Sequence, residues 1–258
     1  METTSGIDKA VMQEIMYDII AELSKSKYKF VFKGALLLSA LQKEAGITTP
    51  SRLSRDFDAD AQEPITVDAA KSELERALKT VGVDNAVVEV ESRTSNEQFY
   101  FDIRDEQGAL MFGVDIGTKI NPWHTSYQLQ NGTIIYGQTI SKIFWDKIAA
   151  VSTPIVDRRP WDVFDLYVLS MRHDLRISKI LQVRDGTGRT LGDWQAFLYP
   201  SDKLKSTWKR RRYIVDRPEF NTMFGRARDI CMPFITEWEG TKGTWKPKEG
   251  FWYEGEYD

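Results

Sequence analysis

The chain has 258 residues, is 41% hydrophobic and 28% charged, and carries a formal net charge of −3. That length allows a sizeable core in one large domain or two small ones, and the charge gives no overall attraction to nucleic acid. One cysteine, Cys231, excludes an internal disulfide framework and a cysteine-rich zinc site, and two histidines, His124 and His173, leave little for histidine-based metal sites or triads. The start, Met1-Glu2-Thr3-Thr4, lacks the basic and apolar stretches of a signal peptide, and apolar runs such as Ala35–Leu38 are far too short to span a bilayer. A soluble, cytoplasmic protein with no membrane partner is expected.

Apolar residues at Val11, Ile15, Met16, Ile19, Ile20 and Leu23 repeat with helical spacing and predict an amphipathic helix over 8–24. A short buried strand at Lys29–Phe32, a turn at Lys33-Gly34 and a helix over Ala35–Glu44, stopping near Gly46, follow. A glycine in that turn lets the backbone approach a ligand, and the helix start offers N–H groups to phosphate. The plainer alternative is that Gly34 only permits a tight turn.

Next comes Arg52-Leu53-Ser54-Arg55-Asp56-Phe57-Asp58-Ala59-Asp60. In a strand, Asp56, Asp58 and Asp60 line one side at a spacing of ~6.6–6.8 Å. Such a row is unfavourable unless a cation or a basic group offsets the repulsion. Two carboxylates on a hard divalent ion, with substrate phosphates in the other positions, is the usual way to hold Mg²⁺. A solvated acidic edge strand is the alternative.

Val67, Ala70, Leu74, Ala77 and Leu78 mark a helix over Thr66–Val81, with Thr66 at its start and Asp68 in its first turn. Three strand-like runs, Ala86–Ser92, Phe99–Arg104 and Ala109–Ile116, are separated by turn residues and predict an antiparallel meander. Asp115, near the end of the third run, is either a third carboxylate or a strand-end residue heading a turn. Gln128–Gly137, with Asn131-Gly132, reads as a hairpin.

After residue 139 the pattern becomes mainly helical. Ile140–Val151 is followed by a break at Pro154. Trp161–Arg172 starts behind Pro160 and carries Asp162 and Asp165 on one side. Further helices are expected over Ile177–Val183, Lys203–Tyr213 and Phe220–Trp238. Residues 201–228 hold nine Lys or Arg against three acids, including Lys209-Arg210-Arg211-Arg212 between Trp208 and Tyr213. Basic residues interleaved with aromatics suit an RNA backbone and splayed bases; a solvated helix face is the alternative. Gly240–Asp258, rich in Gly, Trp and Tyr, is either a mobile tail or a strand laid across the basic helices.

Taken together, Lys33-Gly34 before a helix, Arg52-x-Ser54-x-Asp56-x-Asp58, Lys147-Ile148-Ala149 and Arg159-x-x-Asp162-x-x-Asp165-Leu166 resemble the AbiEii/AbiGii nucleotidyltransferase family. Its members are the toxin halves of type IV toxin–antitoxin and phage-abortive systems, with the MenT toxins among their relatives, in the polymerase-β-like superfamily. The resemblance runs from about Phe30 to Leu169 with the motif order preserved. It implies an α+β fold: a mixed sheet with flanking helices at 1–138, as the nucleotidyltransferase core, and a mainly helical domain at 139–258 with the basic patch and the aromatic, acidic tail.

The resemblance also implies roles. Asp56, Asp58, Lys147 and Asp162 would be catalytic; Lys33, Gly34, Ser54, Lys147 and Asp165 would bind nucleotide; Asp56, Asp58 and Asp115 would hold Mg²⁺ or Mn²⁺; Lys209, Arg210, Arg211 and Arg212 would bind RNA. Asp60 is an extra acid. The family's second glycine and small hydroxyl residue are replaced by Ala35 and Leu36, which implies either weaker nucleotide affinity or phosphates that lean more on Lys147. The implied reaction moves a nucleotidyl group from an NTP to an RNA acceptor, the tRNA 3′ end, under restraint by a cognate antitoxin protein. Two alternatives keep the fold: transfer to a protein hydroxyl or small molecule, or a non-catalytic binding module.

Overall fold

The computed structural model describes residues 8–44, 51–129, 132–211, 214–236 and 242–255. The positions Gly46, Asn131, Arg212, Tyr213 and Trp238, singled out above, lie outside them. The chain divides into two compact units, with the change falling between Gln138 and Thr139.

In order, the first unit contains α1 (Lys9–Leu23), β1 (Val31–Lys33), α2 (Gly34–Glu44), β2 (Ser51–Arg52, at the boundary between the units), β3 (Asp56–Asp60), α3 (Val67–Thr80), β4 (Val87–Val90), β5 (Gln98–Arg104), β6 (Leu110–Gly117), β7 (His124–Gln128) and β8 (Ile134–Gln138). Seven strands make one mixed sheet in the order β4-β5-β6-β3-β1-β8-β7. β4, β5 and β6 form the antiparallel meander that turn residues predicted. β3 runs parallel to β6 and antiparallel to β1, so the acidic strand is central rather than an edge.

Strand alternation separates the two sheet faces. Phe32, Phe57, Ala59, Phe101, Val114 and Ile116 fall on one face and are almost fully buried. Phe57 meets Phe32 and Phe112 at ring-centroid distances of 6.3 and 6.2 Å. α2 packs on β3 and β1, and α1 packs on α3. α1 buries Met16, Ile19, Ile20 and Leu23, whereas Val11, expected on the apolar face, is exposed. α3 is capped by Thr66, whose hydroxyl accepts the N–H of Ala69.

The second unit contains α4 (Ile140–Val151), a 3₁₀ turn (Val156–Arg158), α5 (Pro160–Arg172), β9 (Leu175–Arg176), α6 (Ile177–Thr187), α7 (Gln195–Leu198), α8 (Asp202–Arg210), β10 (Ile214–Val215), α9 (Phe220–Ile235), β11 (Gly243–Lys246) and β12 (Phe251–Glu254). α5 is its axis: every residue from Val163 to Ser170 is buried, and α4, α8 and α9 pack around it. Of the last segment, β11 and β12 are part of this unit's packing. β11 pairs with β9 and β12, and buried Trp245 donates its indole N–H to the Ser170 carbonyl at 2.8 Å. Trp252 likewise donates to the Ile230 carbonyl. Among the described residues no helix is long and apolar enough to cross a membrane.

His173, which ends α5, is pushed down to about 4, first by burial and then by the neighbouring Arg172, against a smaller opposing effect of Asp174. A depressed imidazole pKa means that the unfolded chain takes up a proton the folded chain refuses, so stability falls as pH drops from about 6.5 to about 4. His173→Leu is expected to reduce the loss of unfolding free energy between pH 7 and pH 4.5 by about 1–2 kcal/mol relative to the parent. Denaturant titrations at the two pH values measure it, and parallel pH curves would count against this account.

Candidate active site

β3 alternates in burial: Asp56 is exposed, Asp58 is half-buried and Asp60 is 9% exposed, while Phe57 and Ala59 face the core. In the parallel register of β3 with β6, Asp56, Asp58 and Asp60 lie opposite Gly113, Asp115 and Gly117. Asp58 and Asp115 are thus direct neighbours across two strands ~4.8 Å apart. The proximity registers in their chemistry. The Asp115 carboxyl is pushed up to about 6, first by burial and next by the charge of Asp58, with Asp56 and Glu91 adding and Arg93 opposing.

Gly34, the first residue of α2, comes close to Asp58 on this strand. It has φ +72°, and a Cβ placed there would sit 2.8 Å from Asp58 Oδ2. Only glycine meets both demands at little cost. Its neighbours Ala35 and Leu36 are buried and contribute to the core.

The extra acid, Asp60, is held away from the other two. Lys33 Nζ lies 2.5 Å from Asp60 Oδ1, and Asn121 Nδ2 donates to Asp60 Oδ2 at 2.9 Å. Lys33 therefore engages a neighbouring acid, two residues along β3 from its register partner Asp58. Ser54 is also engaged: its hydroxyl donates to the Asp56 carbonyl at 2.8 Å, and its N–H donates to Gln13 Oε1 at 3.0 Å. Both shape the entry to β3.

Among the described residues, no three His, Cys, Asp or Glu side chains converge as a metal-holding group. Asp56, Asp58 and Asp115 share a face and adjacent strands rather than one centre. Their donor chemistry nevertheless suits a hard divalent cation. A cation there would offset the charge of Asp58 and Asp56, which adds to burial in raising the Asp115 carboxyl.

A second cluster lies in the other unit. Lys147 on α4 lies 2.8 Å from Asp162 and 2.6 Å from Asp165, one turn apart on α5. The lysine side chain is 13% exposed and that of Asp165 only 3%. Arg159 stands 3.8 Å from Asp162. Asp165 meets Lys147 inside the unit, so its evident effect is to orient that ammonium.

Of the basic run, Lys209 and Arg210 are exposed at the end of α8. The Arg211 guanidinium lies over Trp161 at 5.2 Å, and Arg212 is outside the described residues. Trp208 cannot stack on a base: it is 2% exposed, packs 5.6 Å from Phe164 and donates to the Pro218 carbonyl.

Sequence reasoning missed Asn121, which bonds Asp60 from 61 residues away, and the Glu91–Arg93–Tyr100 group beside Asp115. No local pattern announces Asn121. The two-residue spacing of Glu91 and Arg93 at a strand end was a usable but weak signal.

Gly34→Ala is expected to cost about 1–3 kcal/mol through its left-handed backbone and the pressure on Asp58. An unchanged denaturation midpoint would refute the close-approach argument. A carboxyl with a raised folded-state pKa stays protonated while the unfolded chain has released its proton, so stability is lost as pH rises from the ordinary carboxylate range through about 6. In metal-free buffer Asp115→Asn should stabilise the protein by about 1–2 kcal/mol at pH 8, discounted for solvent, with the gain fading toward pH 4. A gain independent of pH would show that charge is not its cause.

The sequence matches the family described as "Nucleotidyl transferase AbiEii toxin, Type IV TA system" over residues 14–224. No curated protein matches it. The fold resembles that of MenT4, a nucleotidyltransferase toxin from Mycobacterium tuberculosis H37Rv, at 14% identity and a TM-score of 0.58, with 91% of each chain covered. It also resembles JHP933 from Helicobacter pylori, at 15% identity and a TM-score of 0.54, covering 91% of this chain and 96% of that one. These likenesses bear out the α+β, polymerase-β-like expectation. With the family match covering most of its length, the chain belongs to the AbiEii family of nucleotidyltransferase toxins of type IV toxin–antitoxin systems.

Proposed function

We propose that this toxin transfers a nucleotidyl group from an NTP to an RNA acceptor, the 3′ end of tRNA, in a reaction that depends on Mg²⁺ or Mn²⁺. The observation that carries the metal assignment is the pairing of Asp58 with Asp115 across adjacent strands, with Asp56 on the same face. Asp56, Asp58 and Asp115 would hold the cation. When bound, such an ion offsets phosphate charge and lowers the pKa of the acceptor hydroxyl.

The other roles belong to the chain's own groups. Gly34 keeps the backbone close to Asp58 without a side chain in the way. Lys147, oriented by Asp162 and Asp165, meets the charge of the triphosphate as pyrophosphate leaves. Lys209 and Arg210 offer exposed positive charge to the RNA backbone, with Arg211 and Arg212 beside them in sequence. By family, an antitoxin protein restrains the activity; the acceptor, the cation and a role in phage defence are parts of this proposal.

The test is transfer of label from each NTP in turn to total tRNA, with Mg²⁺ present or removed by chelation. Asp58→Ala and Lys147→Ala should each lower transfer by at least about 100-fold, on the scale of losing a group that stabilises transition-state charge. Removing the charges of Lys209, Arg210 and Arg211 should weaken tRNA use while leaving NTP binding intact. Label appearing on protein or a small molecule instead of RNA would overturn the acceptor. Transfer that persists in Asp58→Ala would overturn the site.

A further inference from the structure

The hairpin between β4 and β5 places a guanidinium beside the candidate acids that the roles above leave unused. Arg93 forms a two-point fork on Glu91, with its Nε at 2.7 Å and Nη2 at 2.9 Å from the carboxylate oxygens. Its guanidinium carbon is 3.8 Å from the Tyr100 ring centroid, and Tyr100 lies directly opposite Asp115 in the register of β5 and β6. Arg93 Nη2 is also 3.7 Å from Asp115 Oδ1. The three contacts differ in kind. The fork and the ring contact tether Arg93 to the hairpin, whereas 3.7 Å is an electrostatic approach without a hydrogen bond.

That difference gives the residue two states. While Asp115 carries surplus negative charge, the guanidinium is drawn to it. Once Asp115 helps to hold a divalent ion, the same approach becomes repulsive, and the guanidinium edge that Glu91 does not engage is left to a ligand while the fork and the ring contact stay in place. Its side chain is 57% exposed, so a ligand can reach it. The nearby Arg104 is already engaged by Glu89 and Asp102. A planar guanidinium fork beside the third carboxylate matches a phosphodiester in shape and charge.

We propose that Arg93 is a clamp for the phosphate next to the acceptor hydroxyl, held in reserve by Asp115 until a divalent cation displaces it. The proposal rests on the reading of Asp56, Asp58 and Asp115 as metal ligands and of RNA as acceptor. Arg93 is then a substrate-binding residue whose availability is coupled to metal occupancy.

The experiment uses the full chain as wild type, Arg93→Gln, Arg93→Lys and Asp58→Asn. It measures Mn²⁺ binding by calorimetry and tRNA binding by fluorescence anisotropy at saturating Mn²⁺ without NTP, after thermal melts establish that each variant is folded. Wild-type Mn²⁺ binding should require Asp58. Arg93→Gln should bind Mn²⁺ at least about 3-fold more tightly, having lost a competing cation. It should bind tRNA about 5-fold more weakly or worse, with a salt slope shallower by about 1. Arg93→Lys, which keeps the charge, should retain wild-type Mn²⁺ affinity. Unchanged Mn²⁺ affinity, or unchanged tRNA affinity, in Arg93→Gln overturns the clamp and leaves the metal site standing. Mn²⁺ binding indifferent to Asp58→Asn overturns the metal site and the clamp with it. Metal binding that needs Asp58, in a protein with no affinity for tRNA, overturns the RNA acceptor and the clamp but not the metal site.

Discussion

Repulsion among carboxylates on one sheet face is the constraint around which the first unit is arranged. Two unit charges about 5 Å apart repel by roughly 3 kcal/mol at an effective dielectric constant near 20, against a total domain stability of about 5–15 kcal/mol. The chain answers differently at each acid. Asp60 is buried and bonded by Lys33 and Asn121, with space made for it by Gly117, whose absent Cβ would fall 2.4 Å from Asp60 Oδ1. Asp56 is left to solvent. Asp115 keeps a raised carboxyl pKa and an Arg93 too distant to hydrogen-bond it. The most buried acid on the strand is the one bonded on both of its oxygens, while Asp58 and Asp115 remain neighbours across two strands.

The second unit handles charge in the opposite way. Lys147 lies between two carboxylates, and its burial is tolerated because Asp162 and Asp165 lie at 2.8 and 2.6 Å. Breaking such a cluster from one side leaves unpaired buried charge, which destabilises far more than the intact cluster stabilises. The bridge therefore joins α4 to α5 as well as aiming an ammonium. Binding of a triphosphate to Lys147 would compete with these two acids, so they set how much of its charge remains for the ligand. A loss of activity on replacing Lys147 has to be read beside a stability measurement before it counts as chemistry.

What was legible in the sequence was periodic. The alternation of Asp56, Phe57, Asp58, Ala59 and Asp60 matches the strand repeat, and the turn residues at 94–96 and 106–108 matched the meander. Thr66 and Pro160 announced two helix starts. What depends on contacts across long sequence separations was not legible. Asp58 and Asp60 look alike in the sequence, and what separates them is an asparagine reached through the loop before β7. Trp208 looked like a stacking residue because it adjoins the basic run, although Leu204, four residues earlier on the same helix face, is also fully buried. The chain end read equally as a mobile tail or a strand laid across the basic helices, because its aromatics are spaced by glycines and prolines. Trp245 and Trp252 acquire partners only once β11 pairs with β9, which the local pattern does not encode.

The Ala35-Leu36 replacement bears on how little of a glycine turn the site needs. If the close approach to Asp58 depended on a run of small residues, a methyl and an isobutyl group after Gly34 would have pushed α2 away from β3. Instead α2 remains packed on β3, both side chains are buried, and the backbone comes close to Asp58 at Gly34. One residue with φ +72° accomplishes the change from strand to helix. From Ala35 onward, good helix formers extend α2 and tie it to the core. The turn's geometry is thus separable from the residues that follow it, and what the replacement removes is a hydroxyl rather than the shape. Any phosphate held at this turn would have to be bound by backbone N–H groups and by charge supplied elsewhere.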